Sequence, residues 1–488
     1  MSHFPLRHSP LPLPPPFPKK KLARPPVFQI LTRASLMIPT SHLTRRAFAI
    51  CSILGTANLA LSLSLPTAIQ AADSPAPAKK WYKGNTHTHS LWSDGNDFPE
   101  MITDWYQKQG YNFLAISDHN VLQAKEVWVA EELVKKRQTA PGSTPALDKY
   151  LARFGTPWVE TREKDGAKEI RLKKLEEYRP KFERPGEFLL IQAEELSANY
   201  AMELKKRVPI HINAINIQEA ILPPAGTSIQ DVMRKSLQAI HEQGRATGRP
   251  VLAHVNHPNF RWALTPEDLA AVLEENFFEI FNGHPMINYL GDATRPGQET
   301  IWDVANTLRI TQFNAPPLYG VGTDDAHHYH GEDSAPGRGW VMVRSESLNP
   351  DKLIAAMRAG DFYASSGVTL EDVSFKGGIL KVQVQPQEGV TYTIKFVGTP
   401  IGFDKTTTTV KTPPDDFRPE RIVYSADVGK TFATVNGPVA EYRLKGDELY
   451  VRAIITSNLP HPRPTFEGQT EMAWTQPVGW QSRLKETK

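Results

Sequence analysis

The sequence predicts an α/β domain closed into a barrel of the TIM type, followed by a small all-β domain, an immunoglobulin-like sandwich. Three observations point there. Between Gly84 and Asp324, seven short apolar runs alternate with amphipathic stretches of helical period, the pattern of βα units around a parallel sheet. Most of those runs end in His, Asp or Glu, as strands do when they deliver side chains to one rim of a barrel. After residue 367 the apolar residues change to a period of two, the alternation of strands with one buried face. At 488 residues the chain is too long for one ordinary domain. The expected division is a leader over 1–72, a linker over 73–82, the α/β domain over 83–367 and the sandwich over 368–488.

The leader is Pro-rich to residue 36. It continues as "MIPTSHLTRRAFAICSILGTANLALSLSLPTAIQAADSPAPAKK" from Met37. A paired arginine, an apolar run and small residues before a Pro/Ala spacer make a twin-arginine export signal, with cleavage expected near Ala71 or Ala72. Ser, Thr and Asn interrupt the apolar run, so a membrane anchor in the mature chain is not expected. The expected partner of the precursor is the twin-arginine export machinery, and the expected destination is the periplasm or the medium. Met37 is an alternative start. Residues 1–72 carry eight Lys or Arg and no acid, which leaves 48 basic and 53 acidic residues, a net charge of −5. An acidic body without a basic run gives no reason to expect nucleic-acid binding. The one cysteine, Cys51, lies in the leader, so any metal in the mature chain would be held by His, Asp and Glu.

The candidate strands are "GNTHTH" (84–89), "NFLAIS" (112–117), "EFLLIQAE" (187–194), "VPIHINAINI" (208–217), "PVLAHVN" (250–256), "FFEIFNG" (277–283) and "LYGVGTD" (318–324). Between them, "SIQDVMRKSLQAIHEQG" places Ile229, Val232, Met233, Leu237 and Ile240 at helical spacing behind a Ser228/Asp231 capping box. "TPEDLAAVLEE" starts with Thr265 as cap and Pro266 in the first turn. Residues 125–186 form a charged insertion with a hairpin around Lys164-Asp165-Gly166, placed where it could cover a site. In the C-terminal part, "ILKVQVQ" (379–385), "VTYTIKFV" (390–397) and "EYRLKGDELYVRAIIT" (441–456) read as strands.

The chemistry lies at the strand ends. In "KGNTHTHSLWSDGN" (83–96), His87 and His89 alternate along a strand and so share a face, as two ligands of one metal would. Asp94 follows in the loop. The second strand ends in Asp118 and His119, and the third in Glu194 and Glu195. The fourth contains His211, and the fifth ends in His254 and His257. The seventh runs into "GTDDAHHYH", with Asp324, Asp325, His327, His328 and His330. Asp325 and His327 alternate and share a face, whereas Asp324 and His328 point elsewhere. A single buried histidine is most often a satisfied core residue. Six of seven strands supplying His, Asp or Glu to one rim is a different matter, because clustered buried charge is costly without a metal.

The ordered set "HTH…SDG", "SDHN", "EEL", "HIN", "NHPN" and "GTDDAH" resembles the PHP (polymerase and histidinol phosphatase) superfamily over residues 81–367. It is most similar to exported metallohydrolases related to carbaryl hydrolase. The resemblance implies a distorted (β/α)7 barrel holding two or three divalent metals, Mn, Zn or Fe. Matched motif by motif, it assigns His87, His89, Glu195 and Asp325 to one ion. Glu195 as a bridge, with His211 and His257, would take a second, and Asp94, His119 and His327 a third. The choice of Glu195 over Glu194 rests on the spacing to Ser197, and that of His257 over His254 on Pro258. His254 is left as a supporting partner or proton donor, and Asp118 as a group orienting a ligand histidine.

Two ions about 3.5–4 Å apart can deprotonate a shared water and neutralise a developing oxyanion, so metal-assisted hydrolysis is the expected reaction. A phosphoester is the leading substrate class and a carbamate, ester or amide the alternative, with a non-catalytic binding protein behind both. His254, His328 and His330 are candidate proton donors. Arg338 in "PGRGW" is a candidate holder of an anionic small-molecule substrate. "HEQGR" (241–245) lacks the second histidine of a zinc-protease helix, Tyr424 stands where a phosphate loop before "VGKT" needs glycine, and no G-x-S-x-G occurs.

Overall fold

The computed structural model describes residues 78–202 and 206–485. The expected leader, with its paired arginines and cleavage site, lies outside the described residues. Among them, no helix is long and apolar enough to cross a membrane.

The described residues form a mixed α/β fold with eight α-helices and several sheets. Eight strands surround the residues of interest: β1 (Lys80–Asn85), β2 (Phe113–Leu114), β3 (Leu189–Leu190), β4 (Ala193–Ala201), β5 (Arg207–Ile215), β6 (Leu252–Val255), β7 (Phe277–Asn282) and β8 (Tyr319–Thr323). One five-stranded sheet has the order β8-β7-β6-β5-β4. A nine-stranded sheet ends in β1-β2-β3 and continues outward from β1 through Trp340–Ser345, Phe362–Ser365 and Thr470–Thr475 to Glu448–Pro460, Tyr392–Pro400 and Lys430–Asn436. The two sheets are bridged where β1 and β2 run out. Thr88 pairs with Ala326 and His119 with Glu195, both in parallel sense.

The expected alternation of strand and helix fails at one place. β4 and β5 pair antiparallel over nine residues, from Ala193–Ile215 to Ala201–Arg207, and β5 pairs antiparallel with β6. The connection from Ala201 to Arg207 is too short for a parallel crossover, which needs a dozen or more residues, so the two strands can pair only as antiparallel neighbours. Strand lengths also differ from expectation. β1 stops at Asn85 and β2 spans two residues, so the "HTH" and "SDH" motifs lie just beyond their strands.

The elements that frame the site form for local reasons. Helix Ile229–Thr247 starts where the Ser228 hydroxyl accepts from the Asp231 N–H and stops at Gly248, whose φ of +66° is the left-handed cap. Its face of Ile229, Val232, Met233, Leu237 and Ile240 is buried in the main core, worth about 2 kcal/mol per side chain. Helix Pro266–Ala271 begins with the Thr265/Asp268 capping box. The insertion folds as expected around its hairpin. Lys164 pairs with Ala167, and Asp165 and Gly166 both take positive φ (+52° and +74°), the turn that matches strand twist.

Residues 370–475 are all-β. A three-stranded sheet (Leu370–Lys376, Ile379–Val384, Val439–Arg443) shares one core with the nine-stranded sheet through Leu380, Val382, Ile394, Phe396 and Ile455.

Candidate metal centre

The bridges between the sheets bring together the segments that carry the predicted residues. The Asp325 N–H donates to the His87 carbonyl (2.9 Å) and the His89 N–H to the Ala326 carbonyl (2.9 Å), while the Glu195 N–H donates to the Asp118 carbonyl (3.1 Å). The alternation expected of "HTH" survives past the strand end. Thr88 turns its hydroxyl to the Ala326 carbonyl (3.1 Å), and His87 and His89 face each other with Nε2 atoms 3.1 Å apart.

Glu195 is the hub. Its Oε1 lies 3.1 Å from His211 Nδ1 and 3.4 Å from both His87 Nε2 and His257 Nε2. Its Oε2 lies 2.5 Å from His119 Nδ1 and 3.8 Å from His89 Nε2. Asp325 Oδ1 is 3.2 Å from Nε2 of both His87 and His89, and its Oδ2 is 4.0 Å from His257 Nε2. Asp94 extends the cluster outward, 3.5 Å from His119 Nε2 and 3.4 Å from His327 Nε2. All nine residues expected as ligands thus lie in one cluster. Their donor atoms converge in four overlapping groups: His89, Asp94, His119 and His327; His87, His89 and Glu195; His87, His257 and Asp325; and His119, Glu195 and His211. The groupings differ in detail from the motif-based ones, since His89 also joins the Asp94 group. His211 comes from the middle of β5, opposite Ser197, rather than from a strand's carboxyl end.

The cluster acts strongly on its own titration. Burial would lower His87, but Asp325, Glu279 and Glu195 outweigh it and raise it well above the usual imidazole value. In the same way His119, against Glu195 and Asp94, is pushed up to about 11. Burial, with His327 and His119 beside it, takes His89 down to about 4. Against burial, His211, His119 and His87 hold Glu195 well below the usual carboxylate range, and His87 and His89 do the same for Asp325.

The donor set fits divalent cations. In a neutral His87, Nδ1 donates to Glu279 Oε1 (2.6 Å). The Nε2 lone pair is then aimed at two carboxylates and another imidazole nitrogen, the place where a cation would stand in for the proton that the cluster otherwise holds there. His211 Nδ1 is buried with no well-directed hydrogen bond. Acceptors converging on acceptors repel unless a cation lies between them. Nitrogen and oxygen donors without sulfur suit Zn, Mn or Fe.

Two residues the sequence reading passed over complete the site. Glu279, inside the apolar run "FFEIF", accepts from His87 Nδ1, the Thr323 hydroxyl (2.8 Å), the His257 N–H (2.7 Å) and Asn282 (2.8 Å). It orients the His87 ring and fixes the backbone of His257, as a partner behind metal ligands would. A lone carboxylate amid five buried positions was its signal. His284, in "FNGHP", stands edge-on to His327 with ring centres 5.2 Å apart, and burial takes it down to about 4. Asn256 donates to Glu195 Oε1 (2.7 Å) and Asn282 to Asp325 Oδ2 (3.0 Å). His257 (φ +24°) and Asp325 (φ +47°) hold backbone conformations that non-glycine residues rarely adopt, strain of the kind found at functional sites.

Other expected roles are corrected. Asp118 touches no histidine. Its carboxylate accepts from the Ser90 N–H and hydroxyl (both 2.7 Å), Ser93 (2.6 Å) and Gln123 (3.0 Å), and Ser93, 3.5 Å from His89 Nδ1, links that carboxylate to the imidazole. His254 is fully buried beneath His87, 3.1 Å from the Thr86 hydroxyl, and burial lowers it to about 4. It does not line the cavity, so it is out of reach of a leaving group. Arg338 donates to the Gly283 carbonyl (2.8 Å) and lies outside the cavity, so its charge supports a loop. His330 is committed to the Asn96 carbonyl (3.0 Å). Glu194 points away, accepting from the Ile221 N–H (2.6 Å), and burial raises it to about 7. Asp324 accepts from Tyr106 (2.7 Å) and the Arg338 and Gly339 N–H groups.

The cluster opens on a cavity of about 320 Å³ lined by Asp94, His119, Glu195, His211, His257, Phe260, His284, Met286, Asp325, His327 and His328. No Lys or Arg is among these residues. A wider depression of about 640 Å³ beside the end of helix Ile229–Thr247 has no such cluster.

No family model and no curated protein matches the chain. Among solved structures, the chain is similar to a two-domain protein from Bacteroides vulgatus containing a predicted PHP-like metal-dependent phosphoesterase, at 14% identity and a TM-score of 0.33, over 82% of this chain and 96% of that one. It is also similar to PsfC from Pseudomonas syringae (12%, TM-score 0.28, 57% and 88%). A third is a candidate metal-dependent phosphoesterase from Bifidobacterium adolescentis (13%, TM-score 0.27, 51% and 88%). Values this low carry no conclusion about this chain.

Proposed function

We propose that the chain is a metal-dependent hydrolase of the PHP type, acting first on phosphoesters, with two or three divalent ions at the Glu195 hub. The observation that carries it is the convergence of three carboxylates and six imidazoles, acceptor facing acceptor, at the floor of an open cavity. The parallel bridges at Thr88–Ala326 and His119–Glu195 support reading the two sheets as one distorted barrel. Divalent cations there would supply a hydroxide nucleophile from bound water and neutralise charge on the attacked group. The chain's own part is to hold that chemistry in place. Glu195 gathers imidazoles from four segments, Glu279 keeps His87 turned inward, and Phe260 and Met286 add apolar surface to the cavity lining. The paired arginines of the leader support export of the folded, loaded protein.

One observation favours a second reading. Phosphate-binding cavities commonly use Arg or Lys, and this one is lined by Phe260 and Met286 instead, which suits a carbamate, ester or amide. The test is initial-rate hydrolysis by the mature Mn- or Zn-loaded chain, with aryl phosphoesters beside aryl carbamates and esters. Chelator-sensitive turnover of phosphoesters is the expected result. Turnover confined to carbamates or esters selects the second reading, and none on any substrate removes both.

A further inference from the structure

His284 has a geometry that the ligand groups do not use. Its loop is rigid. The Gly283 N–H donates to the Thr323 carbonyl (2.9 Å), the Gly283 carbonyl accepts from Arg338, and the His284 N–H donates to Asn282 Oδ1 (2.8 Å). A side chain at Gly283 would meet Arg338 Cβ at 2.7 Å and the Asp324 carbonyl at 2.8 Å, so the backbone fits there only as glycine. The ring is fixed as well, since Nδ1 accepts from the Met286 N–H (3.2 Å). That bond assigns the ring proton to Nε2, which has no partner among the described residues. His284 lines the cavity yet joins none of the four converging groups.

The cavity otherwise offers few donors. With no Lys or Arg on its walls among the described residues, substrate oxygens turned away from the metal ligands meet no cationic side chain there. We propose that His284 is a catalytic residue that donates a hydrogen bond from Nε2 to a non-bridging oxygen of the phosphoryl group being hydrolysed. This rests on the phosphoesterase reading. The donor is placed before the substrate arrives, so it adds most where charge develops on that oxygen.

The experiment compares the metal-loaded mature chain with His284→Ala and His284→Asn in three readouts. These are metal content by mass spectrometry, affinity for inorganic phosphate by calorimetry, and kcat on 4-nitrophenyl phosphate. In His284→Ala, metal content stays at the wild-type value, phosphate binds about tenfold more weakly and kcat falls about 100-fold. His284→Asn, which keeps an N–H donor, recovers part of both. Loss of metal in His284→Ala overturns the proposal by making His284 a ligand, and so do phosphate affinity and kcat within about twofold of wild type. If the wild type hydrolyses no phosphoester but its phosphate affinity still falls in His284→Ala, the donor stands and the phosphoesterase reading falls. If the wild type binds no phosphate, both fall.

Discussion

Asp303 and Glu195 are both buried acids, and the chain treats them in opposite ways. Asp303, on helix Gln298–Thr311, receives Arg452 Nε (2.9 Å) and Nη2 (2.7 Å) and the Tyr450 hydroxyl (2.7 Å). Arg452 itself lies over the Trp302 indole, its guanidinium carbon 4.5 Å from the ring centre. Both Asp303 oxygens meet donors, Arg452 Nη1 alone being left without a partner, and the Asp303 carboxylate raises Arg452 against the effect of burial. Around Glu195 five imidazole nitrogens crowd two carboxylate oxygens, and Asp325 stands beside them. The first arrangement closes on itself and joins the α/β part to strand Glu448–Pro460. The second stays open to a charge from outside. Burial of charge marks neither function nor structure; what distinguishes them is whether the polar atoms satisfy one another. Glu100 is a third case. It accepts from the Tyr150 hydroxyl (2.5 Å) and the Trp158 indole (2.9 Å), both neutral, and burial pushes it up to about 7.

Each case can be broken separately. The double change His87→Ala with His89→Ala should lose bound metal and lower turnover by at least about 10³-fold, read by metal analysis and initial rates. Retained turnover would remove the metal mechanism. Asp303→Ala leaves Arg452 charged and buried, and should cost about 3–5 kcal/mol in denaturant unfolding with metal per folded chain unchanged. Replacing Asp303 and Arg452 together by Leu and Met should cost less than the single change. Glu100 should make stability depend on pH in a definite sense. Its folded value lies above the ordinary 4.5, so its contribution is complete below that pH and is lost as pH rises through about 7, an effect of about 3 kcal/mol. Urea unfolding at pH 4.5 and 7.5 should show the wild type losing more stability than Glu100→Gln by about that amount, the slope that remains in the variant coming from groups such as Glu194. Glu279→Gln should leave the fold intact and weaken metal binding by about 10- to 100-fold, measured by chelator competition.

Much of the candidate centre was legible in the sequence because its ligands lie in short motifs at strand ends. "HTH" and "DAH" put two side chains on one face by alternation alone, which needs no knowledge of the fold. Glu279 and His284 were harder to see, because one sits inside an apolar run and the other belongs to no repeated motif. The directions of Asp118, His254 and Arg338 were not legible for a common reason. Residue type and proximity in sequence do not tell which way a side chain points once loops close, and all three spend their polar atoms inside the protein. The β4–β5 hairpin was hidden, because the expected strands 187–194 and 208–217 leave thirteen residues between them, enough for a parallel crossover.

The sequence by itself determined the element types, the caps, the insertion's turn and the chemical identity of the donors, because these depend on local periodicity and on atoms within a few residues. Only the tertiary structure decided that Glu195 would be the hub, that Glu279 would hold His87, that the cavity wall would carry Phe260, His284 and Met286 without a Lys or Arg, and that Arg452 would meet Asp303. Those pairings join residues far apart in the chain. Their partners are chosen by which strands lie side by side, a property of the packed whole rather than of any segment.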